Sequence, residues 1–310
     1  MIKFIAKRVF GLLITLFCVI TITFFLVRMM PGGPFDRERK LPPNIEKQLL
    51  AKYKLSGPLL EQYLNYLGDL LHGDLCLSTK YRSRSVNEIL ADSLSVSATL
   101  GGIAFVLATA GGVVLGSVAA ARQHTWIDRT AMFAALFAIS LPSFIIGPAL
   151  VLLFAINFPL LPVGGWGNFQ SLVLPSITLA APYAAYVARL TRASMLEVLT
   201  QDFVRTARAK GLRETQVIYK HAFLRVAILP VISFLGPLAA HLLTGSIVVE
   251  NMFSIPGAGR FFVNSVLNRD GFLLAGVVIV YCTLLVSFNL LVDVLYGILD
   301  RRIMLLNDPG

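Results

Sequence analysis

The strongest constraint on this chain is a series of uncharged apolar runs, each about as long as a bilayer is thick. A hydrocarbon core of about 30 Å needs roughly 20 helical residues, and residues 9–27, 96–121, 130–156, 171–188, 226–249 and 271–292 fall in that range. Charged residues make up only 14% of the chain and hydrophobic ones 56%, which excludes an ordinary soluble domain. The expected fold is an all-α membrane protein with six transmembrane helices. An even number of crossings puts both termini on one side.

Loop charges orient the helices. Lys3, Lys7 and Arg8 precede the first run, Arg122 and Arg129 flank the connection after the second, and Arg301 and Arg302 follow the last. By the positive-inside rule these mark the cytoplasmic face, and both termini with it. The connection 157–170 carries no charge, and that over 250–270 has two acids against two arginines; both fall outside. The net charge of +10 thus reads as an orientation signal, not as a nucleic-acid footprint. The first run is long for a signal peptide, and Arg28-Met29-Met30-Pro31 offers no small-residue cleavage site, so it is read as a retained helix stopped by Pro31–Pro34.

Three regions follow: the N-terminus with its first helix over 1–30, an external polar loop over 31–95, and a core over 96–310. In the external loop, Leu59, Leu60, Tyr63, Leu64, Leu67 and Leu71 recur at helical spacing, predicting short amphipathic helices. These form either a cap on the helix ends or a contact surface for a soluble partner. Gly101, Gly102, Gly111, Gly112, Gly116 and the prolines at 142, 148, 175, 182 and 237 predict close helix approach and freed backbone carbonyls.

Ionisable groups at membrane depth are few. His241 stands 11 residues after Pro230, about 16 Å along a helix and near mid-bilayer. It is either a pathway residue or a neutral imidazole bonded to a neighbouring helix. Asn289 and Asp293 share a helix face, and Asp293 lies within reach of a basic partner such as Arg301. Cys18, Cys76 and Cys282 are odd in number and imply no disulfide or metal framework. H-E-x-x-H, G-x-S-x-G and G-x-x-x-x-G-K-[ST] are all absent. No catalytic site is expected, and ATP-driven work would need the nucleotide on another chain.

One charged island, residues 190–230, interrupts the apolar pattern on the inner side. Thr200 is read as the cap of a helix starting near Gln201, with Asp202 in the first turn and Gly211 ending it in a left-handed conformation. Ala207 and Ala209 would keep its surface shallow, with Arg205, Arg208, Lys210 and Arg213 facing acids or lipid phosphates. Periodicity leaves two readings open, an interfacial anchor and a docking element for a soluble motor.

The island resembles the cytoplasmic loop of membrane subunits of binding-protein-dependent ABC importers. Their general E-A-A-x-x-x-G pattern is matched only at Ala207 and Gly211, but R-T-A-R-A-K-G-L over 205–212 and H-A-x-x-x-x-A-x-x-P over 221–230 (here H-A-F-L-R-V-A-I-L-P) look like the peptide and nickel branch. Glu250, Phe253, Pro256, Gly257 and Gly259 fit that family's external E-x-x-F-x-x-P-G-x-G segment. Gly73-Asp74-Leu75-Cys76-Leu77-Ser78 resembles G-D-[LF]-G-x-S, with Cys76 where glycine is usual. Arg8, Met30-Pro31-Gly32, Asp293 and Tyr296 also fit, so the resemblance spans essentially the whole chain. It is nearest to B-type membrane subunits of oligopeptide permeases.

The resemblance implies a type I ABC importer permease in a bacterial inner membrane, surrounded by lipid. A homologous second permease, two ATP-binding subunits and an external peptide-binding protein are the implied partners. ATP and Mg2+ would be bound by those partners, with no cofactor on this chain. Asp202, Phe203, Arg205, Thr206, Ala207, Arg208, Ala209, Lys210 and Gly211 would form the helix that docks on an ATPase. His241, Asn264, Asn268 and Arg269 are the candidates for the solute path. A self-sufficient channel or proton-coupled transporter, and a permease for nickel or another small solute, are the alternatives.

Overall fold

The computed structural model describes residues 2–29, 42–81, 84–243 and 247–299. The chain runs through α1 (Ile2–Met29), α2 (Pro43–Lys52), α3 (Leu59–Leu71), α4 (Val86–Ala121), α5 (Trp126–Ser140) and α6 (Ser143–Val151), which continues as π-helix over Leu152–Asn157. Then come α7 (Phe169–Leu199), α8 (Asp202–Ala209), a π-helical segment Gln216–Ala227, α9 (Ile228–Leu243), α10 (Ile247–Met252), α11 (Ala258–Leu267) and α12 (Gly271–Leu299). No strand occurs among the described residues; Leu77 and Ser85 form one isolated bridge.

Among the described residues four helices are long and apolar enough to cross a membrane, or five if the bent pair α5–α6 counts as one span. The run 130–156, expected as one helix, turns by 109°. Pro142 is the cause: it forces Leu141 into an extended conformation (φ −91°, ψ 122°), so α5 ends and α6 restarts after the proline. The run 226–249 is shared between the π segment, α9 and α10, with 244–246 outside the described residues. The stop expected over Pro31–Pro34, and Arg301 and Arg302, also lie outside them, as does the side chain of Asp293.

Helices α1, α4, α7 and α12 are all longer than their apolar runs, α4 and α7 by the most. α4 begins at Val86, not at residue 96, because Ser85 and Glu88 form a capping box: the Ser85 hydroxyl accepts the Glu88 N–H at 3.2 Å, and Glu88 accepts the Ser85 N–H at 3.3 Å. α7 runs past residue 188 to Leu199, so about the first quarter of the charged island continues a candidate membrane span.

The chain forms two compact units. The first, Met1–Ser97 with Pro256–Ser287, buries Phe24, Tyr66, Val86, Ile89, Leu273 and Val277 in one core. Its polar centre is Asp270, which is wholly buried. One carboxylate oxygen caps α12 through the Leu273 N–H (3.2 Å) and accepts the Thr79 N–H (3.2 Å). The other accepts the Ser78 hydroxyl and the Lys80 N–H. A buried carboxylate is tolerable only with such donors around it, so the loop 78–80 is fixed by the helix it caps.

Just before that loop, Gly73 (φ +76°) and Cys76 (φ +68°) are both left-handed. Asp74 accepts the Cys76 N–H at 2.8 Å, and Asn87 accepts the Leu75 N–H and donates to the Gly73 carbonyl. Cys76 therefore occupies a backbone that glycine would adopt without strain. Burial, then Asp69 and Asp74, push its thiol up to about 12, so it stays a neutral packing group.

The second unit comprises Ala98–Ile255 and Phe288–Gly310. On α4, Gly112 and Gly116 meet α7 so closely that an added Cβ at Gly112 would lie 2.6 Å from the Ala184 carbonyl, and one at Gly116 would strike Ala188 and Thr191. Gly102 and Gly111 meet nothing comparable. α5 is tied to α7 by Asp128, 4% exposed, which accepts Arg192 Nε at 2.6 Å and a second guanidinium N–H at 2.8 Å. It also accepts the His124 N–H at 3.1 Å.

Two outcomes follow from these sites. Cys76→Gly should stay within about 1 kcal/mol of the parent in thermal unfolding, whereas Cys76→Val, β-branched at a positive φ, should lose about 1–2 kcal/mol or more. Asp128→Ala should cost about 3 kcal/mol by stranding Arg192, and adding Arg192→Met should recover most of that loss.

Candidate functional site

The charged island folds onto the end of α7 as one packed body. Val204 and Ala207 of α8 join Met195 and Val198 of α7 and Val217, Ile218 and Ala222 of the π segment in a buried cluster. Spacing of three residues puts Val204 and Ala207 on one helix face. The opposite face is left to solvent: Asp202, Phe203, Arg205, Thr206, Arg208, Ala209, Lys210 and Gly211 are all exposed. Ala207, expected to shape the outward surface, instead points into the buried cluster, where α8 packs on the π segment that also packs on α7.

The helix begins one residue later than expected. Gln201, in an extended conformation, is the N-cap, with no side-chain capping bond. Thr200 instead ends α7, its hydroxyl donating to the Glu197 carbonyl at 2.8 Å. Asp202 occupies the first turn, where the helix dipole favours an acid. Its carbonyl accepts the Thr206 hydroxyl at 3.0 Å.

At the far end Lys210 is the C-cap and Gly211 follows with φ +76°, the left-handed stop that glycine supplies most readily. A Cβ built on Gly211 meets nothing within 4 Å. The position is therefore constrained by its backbone angle and not by crowding within this chain. Charge on the exposed face is partly internal: Arg208 pairs with Glu214 at 2.7 Å, and Arg205 approaches Asp202 at 3.7 Å. The hydrogen bond from Arg208 holds the Glu214 carboxyl below the usual carboxylate range.

The motif expected on the external side is divided between the two units, and its first part, in the second unit, turns sharply. Glu250 and Phe253 are buried at the end of α10, and Ser254 takes φ +54° while the Ile255 N–H returns to the Glu250 carbonyl at 2.8 Å. The Phe253 carbonyl accepts the Gly165 N–H at 2.8 Å, and Gly164 sits so near it that a Cβ would lie 2.5 Å from that oxygen. Within the first unit, Gly257 is the N-cap of α11 and the Ala258 N–H donates to the Ser97 hydroxyl at 2.9 Å. Gly257 and Gly259 are buried, while Pro256 is exposed.

The residues proposed for a solute path fall in different units. His241 is exposed on α9 in the second, while Asn264, half-buried, and Asn268 and Arg269, both exposed, belong to the first. Arg269 is left-handed (φ +55°), immediately before the buried Asp270.

Residues 112–305 match the family described as the binding-protein-dependent transport system inner membrane component, and residues 1–99 match the N-terminal family of such membrane components. The chain belongs to this family. It is 46% identical over 98% of its length to the oligopeptide transport system permease protein OppB of Salmonella typhimurium, covering 99% of that protein. It is 43% identical to the dipeptide transport system permease protein DppB of Bacillus subtilis, with 98% of this chain and 99% of that protein covered. As a family member with several apolar spans, it is a multi-pass inner-membrane permease component.

The sequence reading missed three polar anchors. Asp270 was detectable as an N-cap acid just before a glycine and a long apolar run. The Asp128–Arg192 pair joins residues 64 apart and left no local signal. The capping box at Ser85–Glu88 was legible but lay within a region read as loop.

The Arg208–Glu214 pair gives a pH test. Because the folded carboxyl titrates below its unfolded value, its stabilisation is present above the ordinary glutamate range and fades as pH falls through the depressed value. Both groups are about half exposed, so the contribution is below about 1 kcal/mol. Glu214→Gln should lower the amide protection factors over 209–214 at neutral pH, and acidification of the parent through the depressed carboxyl value should lower them likewise once the slower intrinsic exchange at acid pH is divided out.

Proposed function

We propose that this chain is one of two pore-forming subunits of an ATP-driven importer of oligopeptides. The reading is supported by near-full-length similarity to proteins named as oligopeptide and dipeptide transport permeases. The observation that carries the mechanism is the packing of α8: its inner face is buried in the body formed with α7, and its outer face is free.

A helix so mounted transmits force. Displacing α8 moves Met195 and Val198 with it, and α7 is tied in turn to α5 through Arg192 and Asp128 and to α4 through the close approach at Gly112 and Gly116. A soluble ATPase gripping the exposed face from Asp202 to Gly211 would therefore pull on several membrane helices at once. Closure of two such motors around ATP and Mg2+ would switch the pore between inward- and outward-facing states, a population shift set by the differential grip on the two states. This chain supplies no nucleotide site and no catalytic group in that scheme.

In the full reading six helices cross the membrane, both termini and α8 are cytoplasmic, and α2 and α3 belong to the external loop. The loop and the segment from Glu250 to Gly259 lie on the side where a soluble peptide-binding protein delivers substrate. A homologous permease completes the pore.

Gly211→Asp tests the scheme. Because among the described residues, its chain neighbours aside, no atom lies within 4 Å of the new side chain's first carbon, the variant should insert and unfold within about 1–2 kcal/mol of the parent. Substrate-stimulated ATPase activity and peptide uptake in proteoliposomes of the whole complex should be lost. Unimpaired uptake by Gly211→Asp would refute docking at this surface.

A further inference from the structure

Helix α3 has three faces, and the first unit accounts for only two of them. At about 100° per residue, Tyr63, Tyr66 and Leu70 turn into the core of that unit, while Gln62, Asn65 and Asp69 form a polar edge. On that edge Asp69 pairs with Lys54 at 2.8 Å, and Gln62 donates to the Leu55 and Gly57 carbonyls at 3.1 and 2.8 Å. The third face is a leucine stripe at helical spacing, Leu60, Leu64, Leu67 and Leu71. Leu60 is 68% exposed, Leu64 58% and Leu71 88%. A cap standing in water would carry polar residues there.

Contacts with α1 fix the depth of this stripe. The hydroxyls of Tyr63 and Thr21 share a hydrogen bond at 2.7 Å. The Tyr63 ring lies 5.3 Å from that of Phe24 and 5.6 Å from that of Phe25, and the Tyr66 ring 5.5 Å from that of Phe24. The uncharged run of α1, residues 9–27, is closed by Arg8 and Arg28. At 1.5 Å per residue it is about 28 Å long, against a hydrocarbon core of about 30 Å. It has no length to spare. Thr21 stands six residues before Val27, which puts it about 9 Å inside the apolar layer. Sliding α1 outward to lift Thr21 into water would draw Lys7 and Arg8 into that layer, where charge is costly.

We propose that α3 is an interfacial helix whose leucine stripe is seated among the acyl chains of the leaflet at the C-terminal end of α1, with its polar edge turned to water. The depth of Tyr63 matches the 5–10 Å or so to which such helices sink their apolar faces, and a water-soluble protein does not reach it. The helix is also inclined: Tyr63 meets Thr21 and Phe25, whereas Tyr66 borders the same crevice as Arg28. Leu60 and Leu64 are therefore the deepest members of the stripe, and Leu71 lies nearest the surface.

Tryptophan quenching in proteoliposomes of the full-length chain tests this, in a background carrying Trp126→Phe and Trp166→Phe. Leu64→Trp should show blue-shifted emission, lose most of it to phosphatidylcholine brominated on its acyl chains, and resist acrylamide. Asn65→Trp, on the polar edge, should show the reverse order of quenching. Leu60→Trp should behave as Leu64→Trp, and gives the same readout if that variant does not insert. Acrylamide quenching at Leu64 or Leu60 as strong as at Asn65 would overturn the proposal. The measurement is repeated in the complete transport complex, with the parent complex as background, and bromolipid quenching should persist. Its loss there would assign the stripe to a protein partner and equally overturn the proposal. The result for the chain alone involves no ATPase and no peptide, so it stands or falls separately from the importer reading.

Discussion

The interaction on which this structure's proposed working depends is the burial of Val204 and Ala207 in the cluster they share with Val217, Ile218 and Ala222 of the π segment and Met195 and Val198 of α7, with the π segment packed against both helices. An eight-residue helix is not stable alone in water. Here α8 exists because its apolar face completes a small core shared with α7 and the π segment. The same burial that makes the helix fold fixes it to the π segment, and through that segment to α7. A flexible loop of equal charge would hold a partner without passing on its movement.

Rigidity continues from there by different means. Small residues at Gly112 and Gly116 bring α4 into backbone contact with α7, a packing mode suited to a solvent in which burial of apolar surface provides little drive. An ion pair buried on the aspartate side fixes α5. Where the chain must turn sharply, at Pro142, it does so by removing a helix conformation and not by lengthening a loop. In the first unit the equivalent anchor is Asp270, whose carboxylate serves the start of α12 and the loop after the Cys76 turn together.

Much of this was legible in the sequence, and the exceptions are instructive. Apolar length marked the positions of the long helices, and the Gly211 stop was readable because only a few residues favour a left-handed backbone. Helix starts were less legible wherever polar residues begin a span: α4 opens with Val86-Asn87-Glu88, a capped amphipathic turn that composition assigns to a loop. The inward orientation of Ala207 was not readable, since a small residue suits a shallow exposed surface and a close helix contact equally. Long-range pairs such as Asp128 with Arg192 have no local pattern. Cys76 illustrates the reverse case: the residue that stands where the resembling pattern has glycine takes a left-handed angle of +68°, one that glycine adopts without strain.

The central claim is that the exposed face of α8 is the surface gripped by an ATPase. Cysteine cross-linking tests it most directly, because Ala209 is exposed at the end of that face and tolerates substitution without loss of core packing. In membranes containing the whole complex, Ala209→Cys should cross-link to an ATP-binding subunit through a short thiol-reactive linker. Its labelling by a soluble maleimide should rise when the ATP-binding subunits are stripped away. Labelling that is equally fast with and without those subunits, and no cross-linked product, would contradict the account.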